Sequence, residues 1–238
     1  MHVFVILPAA GLGTRMGHPA SPPKQFLDLD GVPILIHSLR AFAAVPQVTA
    51  MFVAVRKPEL GRFRSQVEEY GFAGKVQVVE GGDTRQESVA HALAAIHCSD
   101  DDVILVHDAV RPLIDPGTIL RTIEAVRKHG AAIVALPAVD TIKQVQRTAD
   151  GAIITATIPR EHIVHAQTPQ GFRCHLIKRA FAEAEADGFH GTDESSIVER
   201  AGIQVAVVMG THENLKITHP DDLELAEFYL SRRAVPQP

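Results

Sequence analysis

The chain alternates between short unbroken apolar runs and stretches in which apolar residues recur every third or fourth position. Runs at 3–7, 48–55, 75–80, 103–107 and 131–136 have the length and composition of strands covered on both faces. Between them, Leu35, Leu39 and Phe42 line one side of a helix that opens at Pro33. A charged helix spans about 58–70, a third runs from a cap at Asp83 or Thr84 to about 97, and a fourth runs from Pro116 to about 129. Strand and helix alternate in this way as far as 136, which predicts an α/β fold with a doubly wound sheet. In such sheets ligands bind beyond the carboxyl ends of the strands. The loops that follow 7, 80 and 107 are therefore where chemistry is expected.

The pattern breaks at Pro137. Thr141-Ile142-Lys143-Gln144-Val145 and 153–158 alternate with a period of two and flank Asp150-Gly151, which predicts a hairpin with a two-residue Asp-Gly turn. No helix accompanies it, and an isolated hairpin is marginal in water. The expectation is an arm at 138–163 that packs on a second copy of the chain, with a subdomain folded onto its own chain as the alternative. Residues 165–170 return to the body, helices follow at 175–186 and 193–201, and Gly202 ends the second. A strand at 203–208, an extended piece at 214–218 and a last helix from Pro220 to about 230 complete the chain. The final residues, 234–238, read as a frayed end. With no repeat and no linker, 1–238 reads as one domain with an arm.

Composition narrows the function. The 238 residues are 46% hydrophobic with a net charge of -5, so a packed core is available and nucleic acid is not the expected partner. No apolar run approaches the roughly 18 residues of a membrane helix, so no membrane partner is expected. Two cysteines, Cys98 and Cys174, lie far apart without a C-x-x-C, which suggests neither a disulfide framework nor a zinc knuckle and makes a reducing cytoplasm the simplest compartment.

The first loop, 8–17 followed by Pro23-Lys24-Gln25, holds Gly11, Gly13 and Gly17 with the cations Arg15 and Lys24. Glycines let backbone N–H groups approach an anion, and two cations neutralise a polyphosphate. Met16 stands where both the dinucleotide and the P-loop fingerprints need glycine, so the loop is neither. An ordinary strand-to-helix turn is the plain alternative. Gly81-Gly82-Asp83 and His107-Asp108 occupy the same sheet edge. Asp108 there is suited to Mg²⁺, which prefers a few carboxylates together with phosphate oxygens and water. Arg111 reads first as a structural pair for Asp108, with a phosphate contact as the alternative. Lys143, Arg160 and Lys216 are cations that could meet a second anionic substrate. The 13 histidines form no H-E-x-x-H or Cys/His cluster, and no G-x-S-x-G elbow is present.

Pro8-Ala9-Ala10-Gly11-x-Gly13-x-Arg15-Met16 with Pro23-Lys24-Gln25 resembles the nucleotide signature of sugar nucleotidyltransferases. Gly81-Gly82-x-x-Arg85-x-x-Ser88, His107-Asp108-Ala109-x-Arg111-Pro112, Asp140-Thr141-Ile142-Lys143, Gln167-Thr168-Pro169-Gln170, Thr192-Asp193-Glu194 and Asn214-x-Lys216-Ile217-Thr218 narrow the resemblance to the methylerythritol phosphate cytidylyltransferases of the non-mevalonate isoprenoid pathway. The similarity runs nearly the whole chain, and His18-Pro19-Ala20-Ser21 reads as an insertion in the first loop.

The resemblance implies a Rossmann-like, mixed but mostly parallel nucleotidyltransferase sheet with a protruding β-arm. It implies transfer of CMP from CTP to methylerythritol phosphate by in-line attack, with Mg²⁺, in a cytoplasmic homodimer. On it, Arg15 and Lys24 stabilise charge on the α-phosphate and the leaving pyrophosphate. Ala9, Ala10, Gly11, Gly13, Gly82, Asp83, Ser88 and Ala109 line the nucleotide site, and Asp108 holds the metal. Thr141, Arg160 and Lys216 bind the acceptor, the first two reaching into the partner's site. Residues 192–194 are expected to cap a helix first and border the site second. A cytidylyltransferase for ribitol 5-phosphate and a non-catalytic nucleotide-binding protein on the same fold are the competing readings.

Overall fold

A computed structural model of the protein describes residues 1–11 and 23–233. Seven strands form one sheet: β1 (Val3–Pro8), β4 (Val48–Val55), β5 (Val76–Glu80), β6 (Val103–Val106), β7 (Ala131–Pro137), β10 (Val164–Arg173) and β11 (Ala206–Met209). Their order is β11-β7-β10-β6-β1-β4-β5. All pairings are parallel except those of β10, which is antiparallel to β6 and β7. Two two-residue strands, β2 (Asp28–Leu29) and β3 (Val32–Pro33), pair separately, and the arm strands β8 (Ile142–Thr148) and β9 (Gly151–Ile158) form a third sheet.

Strand pleating divides the core. Val3, Val5 and Leu7 of β1 pack on one face with α1 (Ile34–Ala43), α2 (Leu60–Glu69) and α4 (Pro116–His129). Phe4 and Ile6 pack on the other with α3 (Arg85–Ala95), α5 (Cys174–Ala186) and α6 (Glu194–Arg200). Continuous apolar strands follow directly from cover on both faces. A third cluster, with Leu29, Ile34, Val110 and Ile217, seats α7 (Pro220–Arg233) beside the β6 loop.

After β1 the chain moves outward to β4 and β5, then returns to the other side of β1 with β6. That reversal places a crevice at the carboxyl ends of β1, β5 and β6, as the doubly wound pattern requires. The register agrees, with Ile6 opposite Val106 and Val55 opposite Glu80.

Three features depart from the sequence reading. The arm turn is one residue earlier: Thr148 pairs with Gly151, so Ala149 and Asp150 form the turn and Gly151, at φ 141°, begins β9. Residues 165–170 are not merely a return but part of an inner strand of the sheet. The arm is an excursion between β7 and β10, closed by the Ala138 N–H donating to the Ile163 carbonyl at 3.0 Å, so β10 must run back antiparallel. Cys98 and Cys174, expected to be unpaired, form a disulfide. Tertiary contacts bring them together: Lys178 Nζ donates to the Ile96 carbonyl at 3.0 Å and Cys174 N–H to that of Asp102 at 2.8 Å.

Candidate functional site

A cleft of about 220 Å³ opens where the three strand-end loops meet. It is lined by Ala9, Ala10 and Gly11 after β1, by Gly82, Asp83 and Ser88 after β5, and by Asp108 and Ala109 after β6. Lys24, Arg85 and Lys216 also face it. Gly13 and Arg15 lie outside the described residues, as does the 18–21 insertion. Thr141 and Arg160 are exposed on the arm and are not brought to this cleft, and the Arg160 guanidinium donates to the Val139 carbonyl at 2.7 Å.

The β5 loop is shaped by a capping box. Thr84 Oγ1 accepts from Glu87 N–H at 3.1 Å and Glu87 Oε2 accepts from Thr84 N–H at 2.9 Å, which starts α3 directly behind the loop. Ser88 Oγ accepts from Gly82 N–H at 3.1 Å and donates to the Thr84 carbonyl at 2.9 Å. A Cβ on Gly82 would stand 2.3 Å from that of Glu87, so only glycine fits.

Asp108 is the electrostatic centre. Its Oδ1 is 3.3 Å from Arg85, and its Oδ2 is 3.1 Å from both Arg111 and Lys216. Burial pushes this carboxyl up, but Arg85, Lys216 and Arg111 outweigh burial and hold it far below the usual carboxylate range. Arg111 is the structural partner expected from sequence: its guanidinium also donates to the Asn214 carbonyl at 2.8 Å. The segment carrying Lys216 is clamped on both sides. Ile217 N–H donates to the Val110 carbonyl at 2.9 Å, and buried Asn214 donates to the Thr168 carbonyl at 2.8 Å. Lys24 Nζ donates to the Ile217 carbonyl at 2.9 Å, so Lys24 and Lys216 converge on one segment.

Sequence reasoning assigned no role to Arg85, and to Glu194 only helix capping and a site-edge role. Arg85 bridges Asp108 and Glu194, the latter at 2.5 Å. Burial pushes the Glu194 carboxyl up against the pull of Arg85, and Glu194 Oε2 has no hydrogen-bond partner among the described residues. Of 192–194 it is Asp193 that caps the helix, in a capping box with Ser196: its Oδ1 accepts from Ser196 N–H at 2.9 Å and Ser196 Oγ accepts from Asp193 N–H at 3.3 Å. Three cations, Lys24, Arg85 and Lys216, thus line the cleft against two carboxylates, Asp83 and Asp108. The surplus suits a polyphosphate.

Among the described residues no group of three or more His, Cys, Asp or Glu side chains is arranged to hold a metal. The protein supplies Asp108, with Asp83 nearby on the rim. One or two carboxylates fit an ion that takes its remaining ligands from substrate phosphates and water, and do not fit an all-protein cage.

His107 braces Asp108 from behind. Thr168 Oγ1 accepts from Asp108 N–H at 3.0 Å and lies 3.0 Å from His107 Nδ1. His107 Nε2 is 3.1 Å from the Arg111 carbonyl, which can only accept, so Nε2 carries the proton and Nδ1 accepts from the threonine. Burial pulls this imidazole from 6.5 down to about 4, against the hydrogen bond to Arg111. The folded state therefore holds His107 neutral while the unfolded chain takes up a proton below its ordinary value. Its contribution is full above pH 6.5 and is lost as pH falls toward 4. The loss is on the order of 3 kcal/mol. Glu194, raised by burial, acts in the opposite direction as pH rises. Urea titrations without divalent ions at a series of pH values should show the acid loss in the wild type and a flatter profile in His107→Gln. Equal slopes for the two proteins would contradict it.

A family model for 2-C-methyl-D-erythritol 4-phosphate cytidylyltransferase matches residues 3–232. A protein of that name from Acidobacterium capsulatum is 70% identical over 237 residues, covering 98% of this chain and 99% of its own. One from Solibacter usitatus is 49% identical, with 98% of each chain covered. The crystal structure of the Francisella tularensis protein of the same name gives a TM-score of 0.80 at 35% identity, over 96% of this chain and 99% of its own. That of 4-diphosphocytidyl-2C-methyl-D-erythritol synthase from Anaerococcus prevotii gives 0.82 at 30% identity, over 97% and 96%.

Proposed function

The chain belongs to the 2-C-methyl-D-erythritol 4-phosphate cytidylyltransferase family, and from that premise we propose which residues do what. The enzyme transfers CMP from CTP to 2-C-methyl-D-erythritol 4-phosphate, giving 4-diphosphocytidyl-2-C-methyl-D-erythritol and pyrophosphate. Family membership favours this acceptor over ribitol 5-phosphate, and an enzyme over a non-catalytic binder. The acceptor phosphate is itself the nucleophile, so the protein contributes positioning and charge stabilisation.

CTP occupies the cleft, with Ala9, Ala10, Gly11, Gly13, Gly82, Asp83, Ser88 and Ala109 around it. Arg15 and Lys24 stabilise charge on the α-phosphate and the leaving pyrophosphate. Lys216 holds the acceptor phosphate beside it. Asp108 is the ligand for Mg²⁺, whose charge would offset the repulsion between two anions. Support for this division comes from one observation: Lys24 and Lys216 meet on a single clamped segment at the rim of the cleft. A nucleotide phosphate and an acceptor phosphate could be held there side by side.

Thr141 and Arg160 complete the acceptor site from the arm of a second copy, making the active unit a homodimer. Val145, Ile153 and Ile154 leave about half or more of their surface exposed on the arm, at 47%, 62% and 60%. Covering such surface is a reason to dimerise. No helix among the described residues is long and apolar enough to cross a membrane. The cytoplasm is the compartment we assign, since both substrates are multiply charged.

Arg160→Ala is expected to raise KM for methylerythritol phosphate on the order of tenfold to a hundredfold, the worth of a charge-assisted hydrogen bond, with KM for CTP little changed. Steady-state kinetics with each substrate varied in turn provides the check. An unchanged acceptor KM and rate would remove Arg160 from the site. Sedimentation of the active enzyme should give twice the 25.7 kDa chain mass. A fully active monomer would contradict the shared site.

A further inference from the structure

Lys24, Gln25 and Phe26 form a single 3-10 turn at the edge of the cleft. Phe26 anchors it, buried against Phe63 with ring centroids 5.9 Å apart. Gln25 is 3% exposed, and its carboxamide has a defined task. Nε2 donates to the Ala9 carbonyl at 2.6 Å and lies 3.3 Å from that of Gly11.

We propose that Gln25 is a positioning residue for the nucleotide: its carboxamide draws together the two carbonyl oxygens that flank Ala10, fixing the backbone of the CTP loop and shielding the triphosphate from both. The inference rests on the reading of this cleft as the CTP site.

The reasoning is electrostatic. Ala9 is still tied to the sheet, its N–H donating to the Ala54 carbonyl at 2.7 Å. The loop leaves the sheet immediately afterwards, so Ala10 and Gly11 have no ladder to set their peptide planes. Two carbonyls that converge on one point form a spot of negative potential beside an anion site. Only a donor can occupy that point, and a primary amide supplies two N–H groups at one nitrogen. Because the peptide unit is planar, holding the Ala9 carbonyl also fixes the direction of the Ala10 N–H. Gln25 also follows Lys24 directly, so the same turn sets the cation and the backbone relative to each other. Without the amide, the buried Ala9 carbonyl and the part-buried Gly11 carbonyl would each lose this donor, which is costly.

Gln25→Met keeps the length of the side chain and removes the donor. It is expected to weaken CTP binding by tenfold or more, by calorimetry and as KM for CTP, and to leave KM for methylerythritol phosphate within twofold. Gln25→Glu, of the same shape but placing an anion against the carbonyls, should be worse than Gln25→Met. Folding is checked by thermal melting, since a purely structural role would raise both KM values as the protein melts. In the wild type, the Gln25 side-chain amide protons should exchange slowly and more slowly still with CTP bound. Folded Gln25→Met with unchanged CTP affinity overturns the proposal. Should neither variant fold, amide exchange unaffected by CTP overturns it. A wild type that binds no CTP would instead overturn the reading of the cleft.

Discussion

Lys24→Ala is expected to lower kcat by about 10²–10³-fold, the usual loss when one donor to developing transition-state charge is removed. The reason is where the charge appears. Negative charge grows on the bridging oxygen as pyrophosphate leaves, so a cation there acts more strongly on the transition state than on bound CTP. Folding should be little affected, because Lys24 lies at the rim of the cleft, its amine donating to the Ile217 carbonyl, and not in the packed core. Lys24→Arg should recover part of the rate, since the charge is kept while its shape is altered. Steady-state kinetics with a parallel thermal melt provides the measurement. A variant that loses stability and keeps its turnover would contradict this role.

Asp108→Ala should abolish measurable turnover and destabilise the fold by about 3–5 kcal/mol, the usual cost of breaking a buried ion pair on one side. Three cations share this carboxylate, and Arg111 among them is buried, so removal leaves positive charge without compensation. Asp108→Asn keeps the shape and should lose comparable stability, since charge and not volume is at stake. Chemical denaturation of both variants, with activity assayed in parallel, distinguishes the two effects. Normal stability in either variant would show that the cations do not depend on Asp108.

Much of the fold was legible because the parallel strands are covered on both faces and so read as unbroken apolar runs. Strand β10 was legible only in part, for a physical reason. Gln167, Thr168 and Gln170 are buried in it, so it lacks the apolar signature of an inner strand. Those side chains are polar because they support the site. Thr168 holds the Asp108 N–H, Gln167 donates to the Thr211 carbonyl, and Gln170 donates to Asp193 at 2.7 Å. Propensity and site architecture conflict there, and architecture prevails.

The candidate site divides in the same way. Glycine loops and strand-end carboxylates announce themselves by position, which is why Gly82, Asp83 and Asp108 could be read directly. A buried Glu194 paired with Arg85 gives no such sign, since Thr192-Asp193-Glu194 fits a helix cap equally well. Their contact joins residues 109 positions apart. The Cys98–Cys174 disulfide was hidden for the same reason, with 76 positions between its ends. Assigning acceptor recognition to Thr141 and Arg160 rests on family resemblance alone, because nothing about an exposed arm residue identifies its ligand.

The central claim is that this cleft transfers CMP to methylerythritol phosphate and to no other polyol phosphate at comparable rate. Pyrophosphate release from CTP, with Mg²⁺ and a panel of acceptors, measures it directly. Release is expected with 2-C-methyl-D-erythritol 4-phosphate and not with ribitol 5-phosphate, and only slowly when ATP replaces CTP. No release with any acceptor, or release with ribitol 5-phosphate at a comparable or greater rate, would contradict the claim.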